Sequence, residues 1–554
     1  MEMLKKFQME RKLNIKSSTS IQVDVLPQSQ RKLLLIVSFV EGAAVMIIEL
    51  LGAKIVAPFY GTSMYVWASV LGITLIALSG GYFVGGSVSN KYKDKSPLFA
   101  ILAMGAILTI IAPRIAPTIM TATADLGVRI GSLISVSIYL LPPIFCMGMV
   151  SPIIIQLINQ SQENAGQTAG TIYAISTVGG ILATFLAGFV LIPELGIQTT
   201  ATFTGLVLMG FSAIGMFSRK QKMQAVLTFG LFVFFVPFVY SQPTADPAIT
   251  VQYQSSGILG EWTVVDHKGF AKDGRPVNTR QLLLNGIDQT FTNVGIEPFS
   301  VWRYPHKVTA LAGIKPAKSK ALLLGMGGGS IAHNLIRLGF ELDIVELDER
   351  IPFIAEKWFG YDPTSANLVI DDARHYIRNT TKKYDVVILD IVNGEVQPSH
   401  MFTIEGLKEL KAALNKDALV IVNFQGQLDT DDLALSLAPR SVIKTFESIG
   451  YKMFAVKNEK KSISADLLIY GTPGSLNIKE ALSQNLRYND ILPNDHFSAA
   501  DYVPIAGYEL GDVEVMTDDK PNLELLNTPT VLNWRKNKIE YTVNGLIKKG
   551  VPIY

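Results

Sequence analysis

The chain has 554 residues, too many for a single domain, and its net charge of +2 argues against a protein that binds nucleic acid through a basic surface. Hydrophobic residues make up 49% of the chain and charged residues 17%, and the mean hydropathy is +0.30. This composition predicts a membrane-embedded part. Cys146 is the only cysteine, which excludes an internal disulfide and a cysteine-based metal cluster, and we expect no metal site.

The first part of the chain is apolar and the rest carries most of the charge. The change falls near residue 241, at the prolines of "YSQPTADPA". A helix needs about 20 apolar residues to cross the hydrocarbon core. Segments of that kind lie at roughly 33–57, 65–89, 97–119, 130–158, 168–192, 197–217 and 223–240. We therefore predict a basic N-terminal tail over 1–32 and a transmembrane domain of about seven helices over 33–241.

Two acids fall inside the first apolar segment. Glu41 and Glu49 are eight residues apart and share roughly one helix face. Ionisable groups at membrane depth usually face a bundle interior. These acids form a polar site for a cation or an amine, or they have separate structural roles. In the second case one carboxyl forms hydrogen bonds within the bundle and the other lies near the membrane interface. The spacings Gly81–Gly85 and Gly180–Gly188 predict close helix packing.

Positive residues cluster at 31–32, 91–95 and 219–222, which places all three clusters on one side of a membrane. With a cytoplasmic N-terminus and seven crossings, the soluble half would lie outside. We expect a multi-pass protein of the cell (inner) membrane, in contact with the lipid bilayer.

The soluble half begins with short strands and turns, which predict a small β element over 249–310. From 311 to 475, apolar strands alternate with single helical stretches, which is typical of an α/β Rossmann-like domain with a parallel sheet. We assign 476–554 to a C-terminal extension.

The stretch "ALLLGMGGGSIAHNLIRLGFELDIVELDER" places a glycine-rich turn between a predicted strand and a helix. Such a turn lets the backbone approach a ligand closely. Glu346 ends the following strand, where a carboxylate can accept both hydroxyl hydrogens of a ribose. No G-K-[ST] follows the glycines, so the pattern indicates a nucleoside site with little support for phosphate binding.

Three further acids follow predicted strands. Asp371 and Asp372 follow one strand and Asp390 ends the next, at the edge of the sheet where open α/β domains bind ligands. Asp371 or Asp372 could instead cap the helix that follows.

These motifs resemble the spermidine synthase family of aminopropyltransferases over roughly 250–475. "LLLNGIDQT", "LLLGMGGGS", "VELDE", "IDDARHYI", "YDVVILDI" and "FTIEGLKELKAAL" follow the family's order and spacing. The whole chain resembles the group in which an N-terminal multi-span domain is fused to the enzyme. The resemblance implies a transferase that uses decarboxylated S-adenosylmethionine, or S-adenosylmethionine, as co-substrate and has no tightly bound cofactor.

The resemblance also implies roles for individual residues. Glu346 would hold the ribose, Asp372 and Ala373 would contact the adenine, and Asp390 would be the catalytic base that takes a proton from the attacking amine. The positions implied to bind the nucleoside are Gln289, Gly325, Gly327, Gly329, Glu346, Asp372 and Ala373. An amine or another small molecule would be the acceptor, and the soluble domain could form a homodimer.

Three positions depart from the family's pattern. Gly328 and Asn393 stand where the family has aspartates, and the segment around Glu297 lacks the family's tyrosine. These changes leave the nucleoside half of the site intact and remove charge from the half that would hold a diamine.

Four polar residues on later loops have an open role. Asp518 and Asp519 either supply a substitute negative charge or form a solvated turn, and His400 and Glu395 lie on the loop after Asp390. A histidine on a loop is more often solvent-facing than catalytic.

Three functions fit the sequence. The first is a membrane-anchored transferase that moves an aminopropyl group to an amine. The second is an S-adenosylmethionine-dependent methyltransferase, since Gly328 resembles the ordinary methyltransferase turn. The third is a non-enzymatic polyamine or nucleoside sensor or transporter. We expect a cytosolic soluble half because adenosylmethionine derivatives are made there, although the positive charges favour the opposite side.

Overall fold

The computed structural model describes residues 26–92, 96–159, 165–218, 222–240, 246–270, 274–295, 299–392, 397–457, 466–484, 487–491 and 496–551. The N-terminal half is helical, and the second half holds two β-sheets with helices around the larger one. The helices described before residue 241 are α1 (Gln28–Tyr60), α2 (Met64–Lys91), α3 (Ser96–Thr123), α4 (Gly127–Tyr139), α5 (Leu141–Ile158), α6 (Ala165–Leu186), α7 (Ile192–Ser218) and α8 (Lys222–Tyr240).

Five helical stretches in the described residues are long and apolar enough to cross a membrane, by length and composition. They are Gln28–Tyr60, Met64–Lys91, Pro97–Tyr139, Leu141–Ile158 and Ala165–Phe217. A shorter apolar stretch, Val226–Pro237, lies in α8. These stretches support a multi-pass membrane protein.

Seven predicted segments become five stretches because 168–192 and 197–217 fall within one stretch, and 223–240 holds only the shorter stretch Val226–Pro237. Two of the five stretches, Pro97–Tyr139 and Ala165–Phe217, are long, with 43 and 53 residues. At 1.5 Å per residue these measure roughly 65 and 80 Å, against a hydrocarbon core of about 30 Å. Gly127 (φ 73°) and Gly196 (φ 76°) interrupt them, so each is long enough for two crossings. The segment predicted at 130–158 is divided at Leu140, just before Pro142 and Pro143.

Glycines let the helices of this half approach closely. A Cβ atom at Gly81 would lie 2.5 Å from a backbone oxygen of α5, and one at Gly85 would lie 2.6 Å from another. A Cβ at Gly180 would lie 3.0 Å from a side chain of α1, whereas nothing lies within 4 Å of Gly188. Both glycines of the Gly81–Gly85 pair therefore lie at a close helix contact. In the Gly180–Gly188 pair, only Gly180 lies at such a contact.

Glu41 lies inside this helical bundle. It is 2% exposed, and its Oε2 accepts hydrogen bonds from the hydroxyls of Ser151 (3.1 Å) and Ser176 (3.0 Å) on α5 and α6. Glu49 is partly exposed. This arrangement matches one of the two alternatives for these acids, in which one carboxyl is bonded within the bundle.

The soluble half begins with a four-stranded antiparallel sheet in the order β1–β2–β3–β4. Its strands are β1 (Ile249–Gly257), β2 (Gly260–Phe270), β3 (Pro276–Leu284) and β4 (Ile287–Asn293). One face packs on the larger domain through Trp262, Val264 and Leu282. Leu283 on the other face packs with Leu546 near the C-terminus.

The larger sheet has seven strands in the order β10–β11–β9–β8–β5–β6–β7. The strands are β5 (Lys320–Leu324), β6 (Glu341–Glu346), β7 (Asn367–Ile370), β8 (Tyr384–Leu389), β9 (Leu414–Gln425), β10 (Lys452–Lys457) and β11 (Asp466–Thr472). The helices are α9 (Arg303–Ala312), α10 (Ser330–Arg337), α11 (Ile351–Phe359), α12 (Ala373–Asn379), α13 (Ile404–Ala412), α14 (Leu433–Ser448) and α15 (Ile478–Gln484). The apolar residues of β5 and β8 are buried, with helices on both faces, as expected for central parallel strands.

The predicted α/β Rossmann-like fold is confirmed, with one difference in strand direction. β11 is antiparallel to both β9 and β10. It follows β10 without an intervening helix in the described residues, and a short connection of that kind joins antiparallel strands. The chain order around β5 places the ends of β5, β6, β7 and β8 along one edge.

A last helix, α16 (Leu523–Tyr541), connects the two halves of the protein. Ile539 and Val543, at and just beyond its C-terminal end, belong to the hydrophobic core of the N-terminal half. Arg535 is 1% exposed, and its guanidinium lies 3.4 Å from the carbonyl oxygen of Pro58 in α1. Lys54 of α1 donates to the carbonyl of Ile258, in the β1–β2 turn, at 3.0 Å. The soluble half is therefore docked on the C-terminal end of α1.

We predict that Gly81→Leu lowers the melting temperature of the detergent-solubilised protein by several degrees. Overpacking typically costs about 1–3 kcal/mol, and here the new side chain would meet the backbone of α5. Gly86→Leu is the matched control on the same helix, because nothing lies within 4 Å of a Cβ there. Equal melting temperatures for the two variants would contradict the close packing of α2 on α5.

Candidate active site

A cavity of about 810 Å³ lies at the carboxyl ends of the central strands. Seven residues of the predicted site line it: Gln289, Gly325, Gly327, Glu346, Asp372, Ala373 and Asp390. The structure therefore brings together seven of the eight predicted site residues, since Gly329 does not line the cavity. Asp371 and His400 also line it. Residues from β4, the β1–β2 turn and α16 complete the wall.

The glycine turn after β5 has the backbone geometry that its sequence predicts. Gly325, Gly327 and Gly329 have φ values of 85°, 52° and 85°, which favour glycine over residues with a side chain. A Cβ at Gly325 would lie 2.2 Å from the carbonyl oxygen of Asp390, so this position also needs the space. Gly329 precedes α10 as its left-handed cap residue.

Gly328 occupies a position that has no room for a side chain. Its N–H donates to Thr290 Oγ1 at 2.8 Å. A Cβ here would lie 2.7 Å from Thr290 Cγ2 and 3.0 Å from Phe359 Cδ1. The resemblance predicts an aspartate at this position. In this chain the glycine instead lets the turn pack directly against β4. Gln289, the residue before Thr290, lines the cavity.

Glu346 connects the glycine turn to the strand beside it. Its Oε2 accepts the N–H of Met326 at 2.9 Å, and its Oε1 accepts the N–H of Asp348 at 2.9 Å. Burial raises the pKa of Glu346, and these backbone donors oppose the rise because they stabilise the carboxylate. The side chain still lines the cavity, and each carboxylate oxygen can accept more than one hydrogen bond. It can therefore bind the two hydroxyl groups of a ribose.

The acids after β7 have separate roles. Asp372 caps α12, since its side chain accepts the backbone N–H groups of Arg374 and His375 at 2.9 and 3.0 Å. Its other carboxylate oxygen lies 3.6 Å from His400 Nε2 at the cavity wall. Asp371 accepts a hydrogen bond from His375 Nδ1 at 2.8 Å. Asp372 is thus both a helix cap and a cavity residue, while Ala373 leaves space beside it.

Asp390 is held in the cavity by two side chains from other elements. Its Oδ1 accepts a hydrogen bond from Asn423 Nδ2 at 2.9 Å, and its Oδ2 lies 3.5 Å from the Tyr304 hydroxyl, which donates to it. Burial raises the pKa of Asp390 to about 6, and the two hydrogen bonds oppose that rise. A carboxyl group with this pKa is ionised at neutral pH and can accept a proton.

Tyr304 and Asn423 are site residues that the sequence interpretation missed. Tyr304 begins α9, 86 residues before Asp390, and Asn423 lies near the end of β9. A polar residue inside the apolar run "ALVIVNF" is the signal that could have indicated Asn423. A tyrosine does stand at this site, although the segment around Glu297 lacks one.

The remaining polar residues fall outside the cavity or outside the described residues. Asp518 binds the Arg374 guanidinium through both oxygens at 2.6 and 2.7 Å, which lowers the pKa of Asp518 to about 2. Asp519 is exposed. Asn393, Glu395 and Glu297 lie outside the described residues. Among the residues that the structure does describe, no group of three histidine, cysteine, aspartate or glutamate side chains could hold a metal ion.

Comparison with known proteins gives the same picture. The spermine/spermidine synthase domain model matches residues 304–458. A polyamine aminopropyltransferase from Vibrio vulnificus is 37% identical over 128 residues, which are 22% of this chain and 43% of the relative. An N-terminal histidine N-methyltransferase from Emericella nidulans is 31% identical over 138 residues, 24% of each protein. The chain thus spans less than half the length of these two relatives.

A third relative matches along almost its whole length. Polyamine aminopropyltransferase 2 from Aquifex aeolicus is 22% identical over 515 residues, covering 88% of this chain and 96% of the relative. The strand order, the glycine turn and the acids at the strand ends define an α/β protein of the S-adenosylmethionine-dependent transferase type. Within that class, residues 304–458 match the spermine/spermidine synthase domain, and the full length is similar to a polyamine aminopropyltransferase.

We predict that Glu346→Gln weakens the binding of methylthioadenosine to the full-length protein at least tenfold. Hydrogen bonds to a charged group contribute about 1.5–3 kcal/mol, and the amide replaces one acceptor oxygen by a donor. Isothermal titration calorimetry measures the change. Glu341→Gln, at the exposed opposite end of β6, is the control and should bind normally. Equal affinity for both variants would exclude Glu346 from the nucleoside site.

Proposed function

We propose that this protein is a membrane-anchored aminopropyltransferase that uses decarboxylated S-adenosylmethionine as co-substrate and Asp390 as the base. The observation that carries the proposal is the position of Asp390. A partly buried carboxylate held by Asn423 and Tyr304 lines the same cavity as the glycine turn and Glu346.

The reaction would be a direct displacement. The amine nitrogen attacks the aminopropyl carbon bonded to the sulfonium, a C–N bond forms, and the C–S bond breaks to release methylthioadenosine. A protonated amine has no free electron pair, so Asp390 takes its proton, and the carboxylate also steadies the positive charge on the amine. Glu346, Gln289, Asp372 and Ala373 would hold the nucleoside.

Methyl transfer is the second candidate function. The packed Gly328 supports it, because no carboxylate stands at that point of the turn, and one relative carries the name of a methyltransferase. Asp390 would then face a methyl acceptor, and the product would be S-adenosylhomocysteine.

The proposed location is the cell (inner) membrane. The five long apolar stretches support a multi-pass arrangement. Arg31 and Lys32 stand at the start of α1, and the soluble half docks near Pro58, at the other end of that helix. The positive charges therefore favour a soluble half outside the cytoplasm, whereas the supply of the co-substrate favours the cytosolic side that we propose.

Product analysis on the full-length protein tests the function. We expect methylthioadenosine to be released from decarboxylated S-adenosylmethionine in the presence of a primary amine, and Asp390→Asn to reduce that release by at least 100-fold. Release of S-adenosylhomocysteine from S-adenosylmethionine would favour methyl transfer instead. Ligand binding without either product would favour a sensor or transporter.

We further predict that kcat/KM falls as the pH decreases through about 6, because Asp390 then gains the proton that it must take from the amine. Asn423→Leu removes a hydrogen bond that stabilises the carboxylate. The pKa of Asp390 should therefore rise, and the acid limb of the profile should move to higher pH. Asn415→Leu removes a similar bond to Asp385 at the other end of β8 and serves as the control. An unchanged profile in Asn423→Leu would contradict the role of Asp390.

A further inference from the structure

Part of the cavity wall comes from outside the matched family domain of 304–458. Thr62, in the turn between α1 and α2, lines the cavity together with Leu259 of the β1–β2 turn and Trp534 of α16. The N-terminal half, the small sheet and the C-terminal helix therefore each contribute to the wall of one cavity.

This part of the wall lies at the end of the N-terminal half, where membrane helices meet the soluble half. Met64, Ile258 and Leu126 surround that end and are 74%, 66% and 48% exposed. Large apolar side chains left exposed beside apolar helices are typical of the level where a bilayer surface contacts the protein. The cavity thus has a rim at the height expected for the membrane surface.

The charges on this wall do not favour a second ammonium group. Asp288 forms an ion pair with Lys538 and also accepts a hydrogen bond from Gln281 at 2.7 Å. The negative charge of Asp288 is therefore already compensated by a lysine that lines the same cavity. Glu524 also lines the cavity, but it lies 14 residues before Lys538 on α16, which is about 21 Å along the helix.

One part of the wall is apolar and aromatic. Trp534 and Leu259 lie with Trp302, Trp262 and Leu284 along the cavity. Trp262 Nε1 donates to Asp348 at 2.7 Å, so its polar atom is satisfied and its ring remains for apolar contact. Such a wall gains free energy by covering methylene groups.

We propose that the acceptor is a membrane-resident primary amine, with one ammonium group on a long apolar body, which reaches Asp390 past Thr62, Leu259 and Trp534. This substrate class rests on the aminopropyl transfer proposed above. The apolar body would remain along the aromatic wall and the rim at the bilayer surface while the amine nitrogen meets Asp390.

The kinetic test uses the full-length protein in lipid nanodiscs with decarboxylated S-adenosylmethionine. We expect kcat/KM for dodecylamine to exceed that for putrescine at least tenfold, with hexylamine between them. Thr62→Trp should reduce dodecylamine turnover at least tenfold without changing methylthioadenosine binding. Thr62→Ser and Leu75→Trp are the controls, the second because Leu75 is an exposed residue further along α2 that neither lines the cavity nor belongs to the rim. A preference for putrescine, or equal effects of Thr62→Trp and Leu75→Trp, would overturn the proposal.

A second measurement does not need turnover. A long-chain primary amine with a diazirine in its chain is photolysed in the same nanodiscs, and the labelled peptides are mapped by mass spectrometry. Labels on the peptides of Thr62 and Trp534 that Thr62→Trp abolishes support the proposed route of the amine past these residues. Labels confined to lipid-facing helices overturn it. If the unmodified protein does not bind methylthioadenosine, that result would instead count against the proposed function.

Discussion

The site depends first on the contact between the backbone of Gly325 and the carbonyl of Asp390. A Cβ at residue 325 would come within 2.2 Å of that oxygen, and Asp390 N–H donates to the carbonyl of Leu324 at 2.9 Å. The ends of β5 and β8 can therefore lie side by side only with glycine at this position. That contact brings the glycine turn after β5 and Asp390 after β8 to one cavity. Glu346, at the end of β6 on the other side of β5, holds the same turn.

Much of the fold could be predicted because its signals are local. Buried parallel strands read as apolar runs, and the helices between them carry their own periodicity, so the alternation from residue 311 onward was visible in the sequence. The acids at the strand ends were predictable for the same reason, since the carboxyl ends of parallel strands meet at one edge. The helix breaks at Gly127 and Gly196 were not visible, because their effect depends on the φ angle that each glycine adopts.

The partners of Asp390 could not be predicted from local pattern. Asn423 comes from β9 and Tyr304 from a helix that precedes the whole sheet, and only the folded topology brings them to one carboxylate. Gly328 is a similar case. The sequence indicated a lost charge at the reacting centre, whereas the structure shows that Thr290 and Phe359 already fill the space a side chain would need. The change is therefore one of packing as well as of electrostatics, and restoring the acid alone would create a clash.

The hydrogen bond from Arg535 to the carbonyl of Pro58 in α1 has a consequence for how the protein is made. These groups are 477 residues apart in the chain, so one is synthesised long before the other. The C-terminal helix can dock only after the N-terminal helices have been inserted and packed, because Ile539 and Val543 enter their core. A chain whose N-terminal helices had not packed would keep an open cavity and would leave the apolar side chains of Ile539 and Val543 exposed. The wall of the cavity is therefore complete only when the N-terminal helices have packed, and unassembled chains would be readily recognised by proteases.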